Sequence, residues 1–413
     1  MRAGEGIVSG LEGAETRYDA VVVGARAAGA ATAMLLARQG LRVLAVDRGA
    51  YGTDTLSTHA LMRAGVLQLA RWGLLERIEA EGTPRVHRTV FHYPDDVVDI
   101  AVKPRDGVPA LFAPRRTVLD RVLVDAAVEA GAAVLHRVRL ADLARARGGR
   151  VEGVVLQDEN GSTRSVRARI VIGADGIHSA VAPLVAAPPT RQGLHSSASV
   201  YGYWTGLDLD GYQWLWGRDT AAGAIPTNGG QVLLFASVSS ARFAEEIRAD
   251  IPGGYRRVLE ETSPALAARL PDARLAGTLH GFPGQPGYLR RPWGPGWALV
   301  GDAAYFKDPI TAHGISDALR DAELLARAVG RGTDEALVGY ETERDAVSVG
   351  LFDVSDRIAS FRWDNALLKA LHKTLSDAMK EEVAALVRMH ERGDRNGGET
   401  SLRASMAPPL GGG

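Results

Sequence analysis

The segment from Tyr18 to Asp47 constrains this chain more than any other. Tyr18-Asp19-Ala20-Val21-Val22-Val23 is a short apolar run closed by Gly24, the pattern of a buried parallel strand. Ala27 to Gln39 is rich in Ala and Leu and ends at Gly40, a glycine placed to terminate a helix. Leu41 to Val46 then reads as a second strand ending at Asp47. Strand, glycine turn, helix and strand within about 30 residues make a βαβ unit. The turn, Gly24-Ala25-Arg26-Ala27-Ala28-Gly29, stands where G-x-G-x-x-G is found in dinucleotide-binding folds. Gly24 permits the tight turn and Gly29 the close packing of helix on strand, while Arg26 replaces the middle glycine. Its guanidinium must point away from the crowded turn, and from there it can meet phosphate. The helix N-terminus adds free N–H groups and partial positive charge. Asp47 sits at the strand end where an acid accepts ribose hydroxyls, which suits NAD or the ADP half of FAD. A plain crossover whose glycines serve packing alone leaves the same pattern.

Composition narrows the chemistry. The 413 residues allow two or three structural units and a large core. A formal net charge of −1 argues against a nucleic-acid or anionic-membrane binder. The chain has no cysteine, which removes disulfides, thiolate metal sites, catalytic thiols and cysteine redox relays. No metal-ligand pattern is read elsewhere. The first 16 residues carry no apolar signal region, and no stretch of 18 apolar residues occurs, so the expectation is a soluble, cytoplasmic protein.

Further strands are expected at 132–138, 151–156, 169–172 and 297–300, with helices at 117–129 and 314–329. Residues 86–102 and about 197–240, rich in Tyr, Trp, Val and Phe, read as antiparallel strands of a second sheet. Residues 333–392 show helical periodicity. Two strand ends carry glycine motifs. One is Gly173-Ala174-Asp175-Gly176-Ile177-His178-Ser179; the other runs Gly301-Asp302-Ala303-Ala304-Tyr305-Phe306-Lys307-Asp308-Pro309-Ile310-Thr311-Ala312-His313-Gly314-Ile315.

In this order and spacing, the three motifs resemble the fingerprints of the para-hydroxybenzoate hydroxylase-like FAD-dependent oxidoreductases. That superfamily includes group A flavin monooxygenases, flavin-dependent halogenases and geranylgeranyl reductases. The resemblance spans roughly residues 17–330. It implies an α/β fold: a Rossmann-like FAD-binding domain (17–85, 108–187 and 280–332), an inserted, mostly antiparallel β-sheet substrate domain (86–107 and 188–279) and C-terminal helices (333–392). Residues 1–16 and 393–413 are expected to be disordered.

The resemblance also implies non-covalent FAD held by Gly24, Arg26, Ala28, Gly29, Asp47, Arg48, Arg63, Arg116, Asp175, Gly176, Gly301, Asp302, Gly314 and Ile315. Within that set, Asp302 takes a ribityl hydroxyl, and the Gly314 and Ile315 amides face the flavin N1–C2=O edge. Arg63 and Arg116 reach phosphate or ribose, and Asp175 lies near flavin and nicotinamide. Ala182 replaces an arginine common in the family. Pro309 matches the proline whose carbonyl faces the active site. His59 and His313 are candidate active-site residues, each with a structural or solvated-loop alternative.

The absence of cysteine excludes the disulfide reductases that share the first motif. Trp214-Leu215-Trp216 runs into Gly217, and Ile225-Pro226 comes too late for the halogenase W-x-W-x-I-P, so halogenation is disfavoured. The leading expectation is an NAD(P)H-dependent monooxygenase of secondary metabolism, hydroxylating a small aromatic or polycyclic substrate through a flavin C4a-hydroperoxide. The alternative is a reductase or dehydrogenase acting on an alkene, which the wording Asp308-Pro309-Ile310-Thr311 resembles more closely. Tyr201, Tyr203, Trp204, Tyr212, Trp214 and Trp216 offer a wall for an aromatic substrate. They serve equally as ordinary sheet core. The oligomeric state is left open.

Overall fold

The structure, a computed structural model, describes residues 7–9, 11 and 15–405, with backbone alone for 7–9 and 392–405. Its larger sheet runs β1 (Ile7–Ser9), β6 (Ala133–His136), β3 (Val43–Asp47), β2 (Arg17–Val23), β9 (Thr163–Gly173), β19 (Trp297–Leu299) and β18 (Trp293–Gly294). Every pair from β1 to β19 is parallel. β7 (Val138–Arg145) and β8 (Val151–Asp158) continue from β9 as an antiparallel meander. Alternation decides what each face meets. Ala20 and Val22 pack with helices α1 (Ala27–Arg38), α2 (Arg63–Arg71), α3 (Arg116–Glu129) and α5 (Gly314–Arg331). Val21 and Val23 pack with the meander.

α1 starts with small residues and lies close to the turn that precedes it. A Cβ on Gly29 would overlap the carbonyl oxygen of Gly24, so this position admits only glycine without displacement. Gly24 itself has φ 100°, and a side chain there would strike the Ala174 carbonyl.

The inserted sheet runs β15 (Arg274–Leu275), β11 (Ser197–Thr205), β14 (Gln231–Ser239), β13 (Ala221–Thr227), β12 (Tyr212–Trp216), β4 (Arg88–Tyr93) and β5 (Asp96–Ala101). β16 (His280–Phe282) also pairs with β11, and the one parallel contact in this sheet is β12 with β4. One face, with Val200, Leu215, Ala224 and Leu234, packs under α4 (Ile251–Thr262). The opposite face, with Tyr201, Tyr203, Tyr212, Trp214 and Phe235, joins the core of the α/β domain. A small third sheet of β10 (Pro189–Gln192), β17 (Tyr288–Arg290) and β20 (Tyr305–Phe306) bridges the two. α6 (Asp334–Ala359) and α7 (Asn365–Ser405) complete the chain.

Three expectations change. The insert reaches Phe282, past the expected boundary at 279, and 189–192 belong to the bridging sheet. Strands of two or three residues have too short a period to show in sequence. Ile7–Ser9 pair with β6 and Leu11 is buried, so part of the first 16 residues is ordered; residues 1–6, 10 and 12–14 lie outside the described residues. The α7 backbone continues to Ser405, inside the expected disordered tail, of which 406–413 lie outside the described residues.

The close approach at Gly29 makes a quantitative expectation. Gly29→Ala should lower the free energy of urea unfolding by about 1–3 kcal/mol, the cost typical of overpacking. An unchanged midpoint and slope would show that α1 does not ride this close to the turn.

Candidate functional site

Strand register gathers the three motifs. Val23 of β2 pairs with Gly173 of β9, which pairs with Leu299 of β19. Their carboxyl ends therefore finish level: Gly24, Ala174 and Val300 follow in one row, with Gly301 one residue further on. In open parallel sheets, ligands bind outside these strand ends. The motifs also touch: Gly301 has φ 60°, and a Cβ there would lie 2.8 Å from the Ala28 Cβ.

The Asp47 carboxylate lies between β3 and the turn, accepting from the Ala25 amide (2.8 Å) and the Gly49 amide (2.7 Å). It thus fixes the turn, and Arg48 beside it is exposed. Arg26 swings away from the turn as its crowding requires. Its guanidinium donates to the Thr53 carbonyl (2.5 Å) and hydroxyl (2.8 Å), and to Asp120 Oδ2 (3.1 Å). Arg116 takes the same carboxylate, donating from Nε to Oδ1 (3.0 Å) and from Nη2 to Oδ2 (3.1 Å). One buried acid thus holds two arginines together and leaves a surplus positive charge beside α1. No side chain caps the N-terminus of α1. Asp120 escaped the sequence reading, although its i+4 spacing from Arg116 was a usable signal.

The third motif supplies a carboxylate. Asp302 is half-buried by surface area but crowded on all sides, and burial pushes its carboxyl up to about 6, against the pull of Lys307 and Arg116. The Tyr288 hydroxyl donates to its backbone carbonyl (2.6 Å), and no described group donates to its carboxylate. The N-terminus of α5 has no side-chain cap, and a Cβ on Gly314 would meet nothing within 4 Å. A free carboxylate, an uncapped helix start opening onto space and a bridged arginine pair fit FAD, with hydroxyls for the first, a polar ring edge for the second and a diphosphate for the third. Ile315 is partly buried beside Gly314, and Gly176 (φ 76°) also opens onto space.

Other expected residues are engaged elsewhere. Arg63 donates to the carbonyls of Lys103 (2.8 Å) and Arg105 (3.3 Å). Asp175 accepts from the Ser179 hydroxyl (2.6 Å) and the Ala180 amide (2.6 Å), so it caps the next turn. The Pro309 carbonyl accepts from the Ala312 amide (2.8 Å) within its own turn. Asp308 fastens that turn to the insert, accepting from the Ser197 amide and hydroxyl (both 2.6 Å). His313 is not a solvated loop residue: it is 1% exposed, with Nε2 2.6 Å from Glu382 Oε2 on α7. Sequence gave no sign of Glu382, one acid among many on a long helix.

His59 is buried, with φ 61°, a conformation that costs a residue with a Cβ roughly 1–2 kcal/mol. Its Nε2 is hydrogen-bonded to the Tyr203 hydroxyl, Nδ1 has no partner, and burial pulls the imidazole down to about 3. The Ser57 amide donates to the Tyr201 hydroxyl (3.2 Å), so both tyrosines anchor this loop to the insert. Arg115 lies over the Tyr203 ring (3.6 Å) and pairs with Asp54 (2.6 Å). Of the expected aromatic wall, Tyr201, Tyr203, Tyr212 and Trp214 face the α/β domain. Trp204 instead stacks on Tyr255 of α4, and Trp216 meets Trp363 and His372.

The raised Asp302 carboxyl has a pH signature. A folded value near 6 against 3.8 unfolded favours folding below pH 4 and is lost as pH rises through 6, a difference on the order of 3 kcal/mol. Urea unfolding of the flavin-free protein at pH 4, 5 and 7 should show a smaller loss in Asp302→Asn than in wild type, the remainder coming from Asp308, which burial also pushes up to about 6. An identical pH dependence in both would place the carboxylate in solvent.

The FAD binding domain family matches residues 17–216. Digeranylgeranylglycerophospholipid reductase 1 of Methanopyrus kandleri is 32% identical over 346 residues, covering 79% of this chain and 82% of that protein. Phenazine 1,6-dicarboxylic acid hydroxylase PhzS of Lysobacter antibioticus is 29% identical over 367 residues, covering 80% and 87%. The myxobacterial chondrochloren halogenase CndH has the same fold, with a TM-score of 0.75 at 18% identity over 90% of this chain and 98% of its own. Together with the convergent motifs, these similarities make the chain a member of the FAD-binding-domain family of group A-type flavoproteins and an FAD-dependent oxidoreductase.

Proposed function

We propose that this chain is a monooxygenase that takes electrons from NADH or NADPH and hydroxylates a small aromatic or polycyclic substrate, of the kind found in secondary metabolism, in the cytoplasm. The observation that carries this reading is the aromatic face of the insert. Tyr201, Tyr203, Tyr212, Trp214 and Phe235 all turn toward the domain that holds the three motifs. Such a face suits a flat apolar substrate and excludes water from the reacting atoms.

Bound FAD supplies the redox and oxygen-transfer chemistry. The chain's part is to bind, orient and exclude water. The N-terminus of α1, with Gly24, Ala28 and Gly29, and the Arg26–Asp120–Arg116 bridge would hold the diphosphate. Asp47 and Arg48 would hold the adenosine ribose, and Asp302 a ribityl hydroxyl. The amides of Gly314 and Ile315 would meet the ring edge, where positive helix charge favours the reduced state. Asp175 and Gly176 stand on the nicotinamide side. Arg63 would have to leave its carbonyl partners to reach the cofactor. His59 stays neutral at pH 7 and orients the Tyr203 hydroxyl. Pro309 shapes the loop beneath the substrate.

A second reading, reduction of an alkene, is favoured by the 32% identity to a digeranylgeranylglycerophospholipid reductase. Turnover with NADH or NADPH under ¹⁸O₂ separates the two. The expected product gains one ¹⁸O atom and does not form without air. A product that instead gains two hydrogens, and forms equally well anaerobically, would establish the reductase.

A further inference from the structure

Beneath the N-terminus of α5 lies a group of charges that the proposed cofactor contacts do not use. Lys307 is paired with Asp317. Arg320 reaches Asp317 Oδ1 (2.9 Å), Asp321 Oδ1 (2.7 Å) and Glu382 Oε1 (2.6 Å). Glu382 Oε2 meets His313 Nε2. All six side chains are at most 4% exposed. Three carboxylates face the Arg320 guanidinium and the Lys307 amine, which burial pulls down to about 7, so the group carries net negative charge while His313 is neutral and one unit less of it once His313 is an imidazolium. Single atoms of His313, Asp317 and Glu382 come within 4.8 Å of one another, as metal ligands do, but Lys307 and Arg320 already occupy those carboxylates.

The pair is poised for a proton. Burial opposes the ionisation of Glu382, yet His313 and Arg320 hold its carboxyl down to about 2. Burial keeps His313 below its usual value, with Glu382 pulling the other way. With Nε2–H donated to Glu382, the Nδ1 lone pair is buried and has no partner. His313 directly precedes Gly314 and Ile315. The other charges around it are Lys307 and Asp302 from the loop, Asp317, Arg320 and Asp321 from α5, and Arg344 from α6, which acts on Asp321. α2 brings Gly65 against Ser316.

Resting on the reading that the start of α5 faces the flavin, we propose that the His313–Glu382 pair takes up a proton when the bound flavin is reduced. Two electrons and one proton enter the flavin, and a second proton passes from solvent to His313 Nδ1, offsetting the charge gained at the ring edge. Glu382 is a positioning residue here: it fixes the imidazole and supplies the counter-charge that lets it ionise.

The readout is the midpoint potential of bound FAD between pH 7.5 and 9, in wild type, His313→Gln and Glu382→Gln. Two protons per two electrons shift the potential by about 59 mV per pH unit, and one proton by about 30 mV. Wild type should follow the first slope and both variants the second. A wild-type slope of about 30 mV would overturn the proposal. So would a slope of about 59 mV kept in His313→Gln, which would give the proton to Lys307 or the flavin itself. If Glu382→Gln does not fold, wild type and His313→Gln decide the matter. The flavin reading has its own check: a purified chain that takes up no FAD by absorbance fails before any titration.

Discussion

The level ending of β2, β9 and β19 is the constraint on which the rest of the molecule depends. A parallel sheet requires long crossovers, so its strands come from distant parts of the sequence. Val23, Gly173 and Leu299 lie far apart along the chain, and register alone sets them in one row. Slip any of these strands by one residue and its side chains exchange faces, carrying its glycine motif out of line. The apolar faces of the sheet prevent that slip, because Ala20 and Val22 belong to the helix layer while Val21 and Val23 belong to the meander.

Buried charge fastens the remaining elements to this row. Asp120 gathers Arg26 and Arg116, Asp308 ties the third motif to the insert, and the Lys307–Asp317–Arg320–Glu382–His313 group brings in α7. Ser348 of α6 joins the same group through Arg320 (2.8 Å). Breaking one partner of a buried pair costs about 3–5 kcal/mol, because the other is left uncompensated. The C-terminal helices are thereby coupled to the loop before α5, and two partnerless atoms, His313 Nδ1 and Asp321 Oδ2, mark where the network is open.

Much of the α/β domain was legible in sequence because its signals are local. The strand from Tyr18, the helix from Ala27, the helix at 314–329 and the glycine turns are each set by short-range patterning. The site was legible as positions along the chain, since glycine turns at strand ends have steric causes that travel with the sequence. Partners were not legible. Nothing in the spacing of Arg63 announces the carbonyls of Lys103 and Arg105, and nothing beside Asp175 says that its carboxylate caps the next turn.

Sequence by itself determined the βαβ turn, the absence of thiol chemistry and the order of the three motifs. Tertiary structure decided which faces and charges meet. Alternation predicts two faces for the insert, but only packing against α4 showed which of them turns Tyr201, Tyr203, Tyr212 and Trp214 toward the motifs. It also set His313, which the sequence leaves between an active-site residue and a solvated-loop one, fully buried against Glu382, 69 residues away. The physical reason is the range of the forces. Steric preference acts between neighbours in the chain, whereas desolvation and Coulomb attraction act between whatever the fold makes neighbours in space.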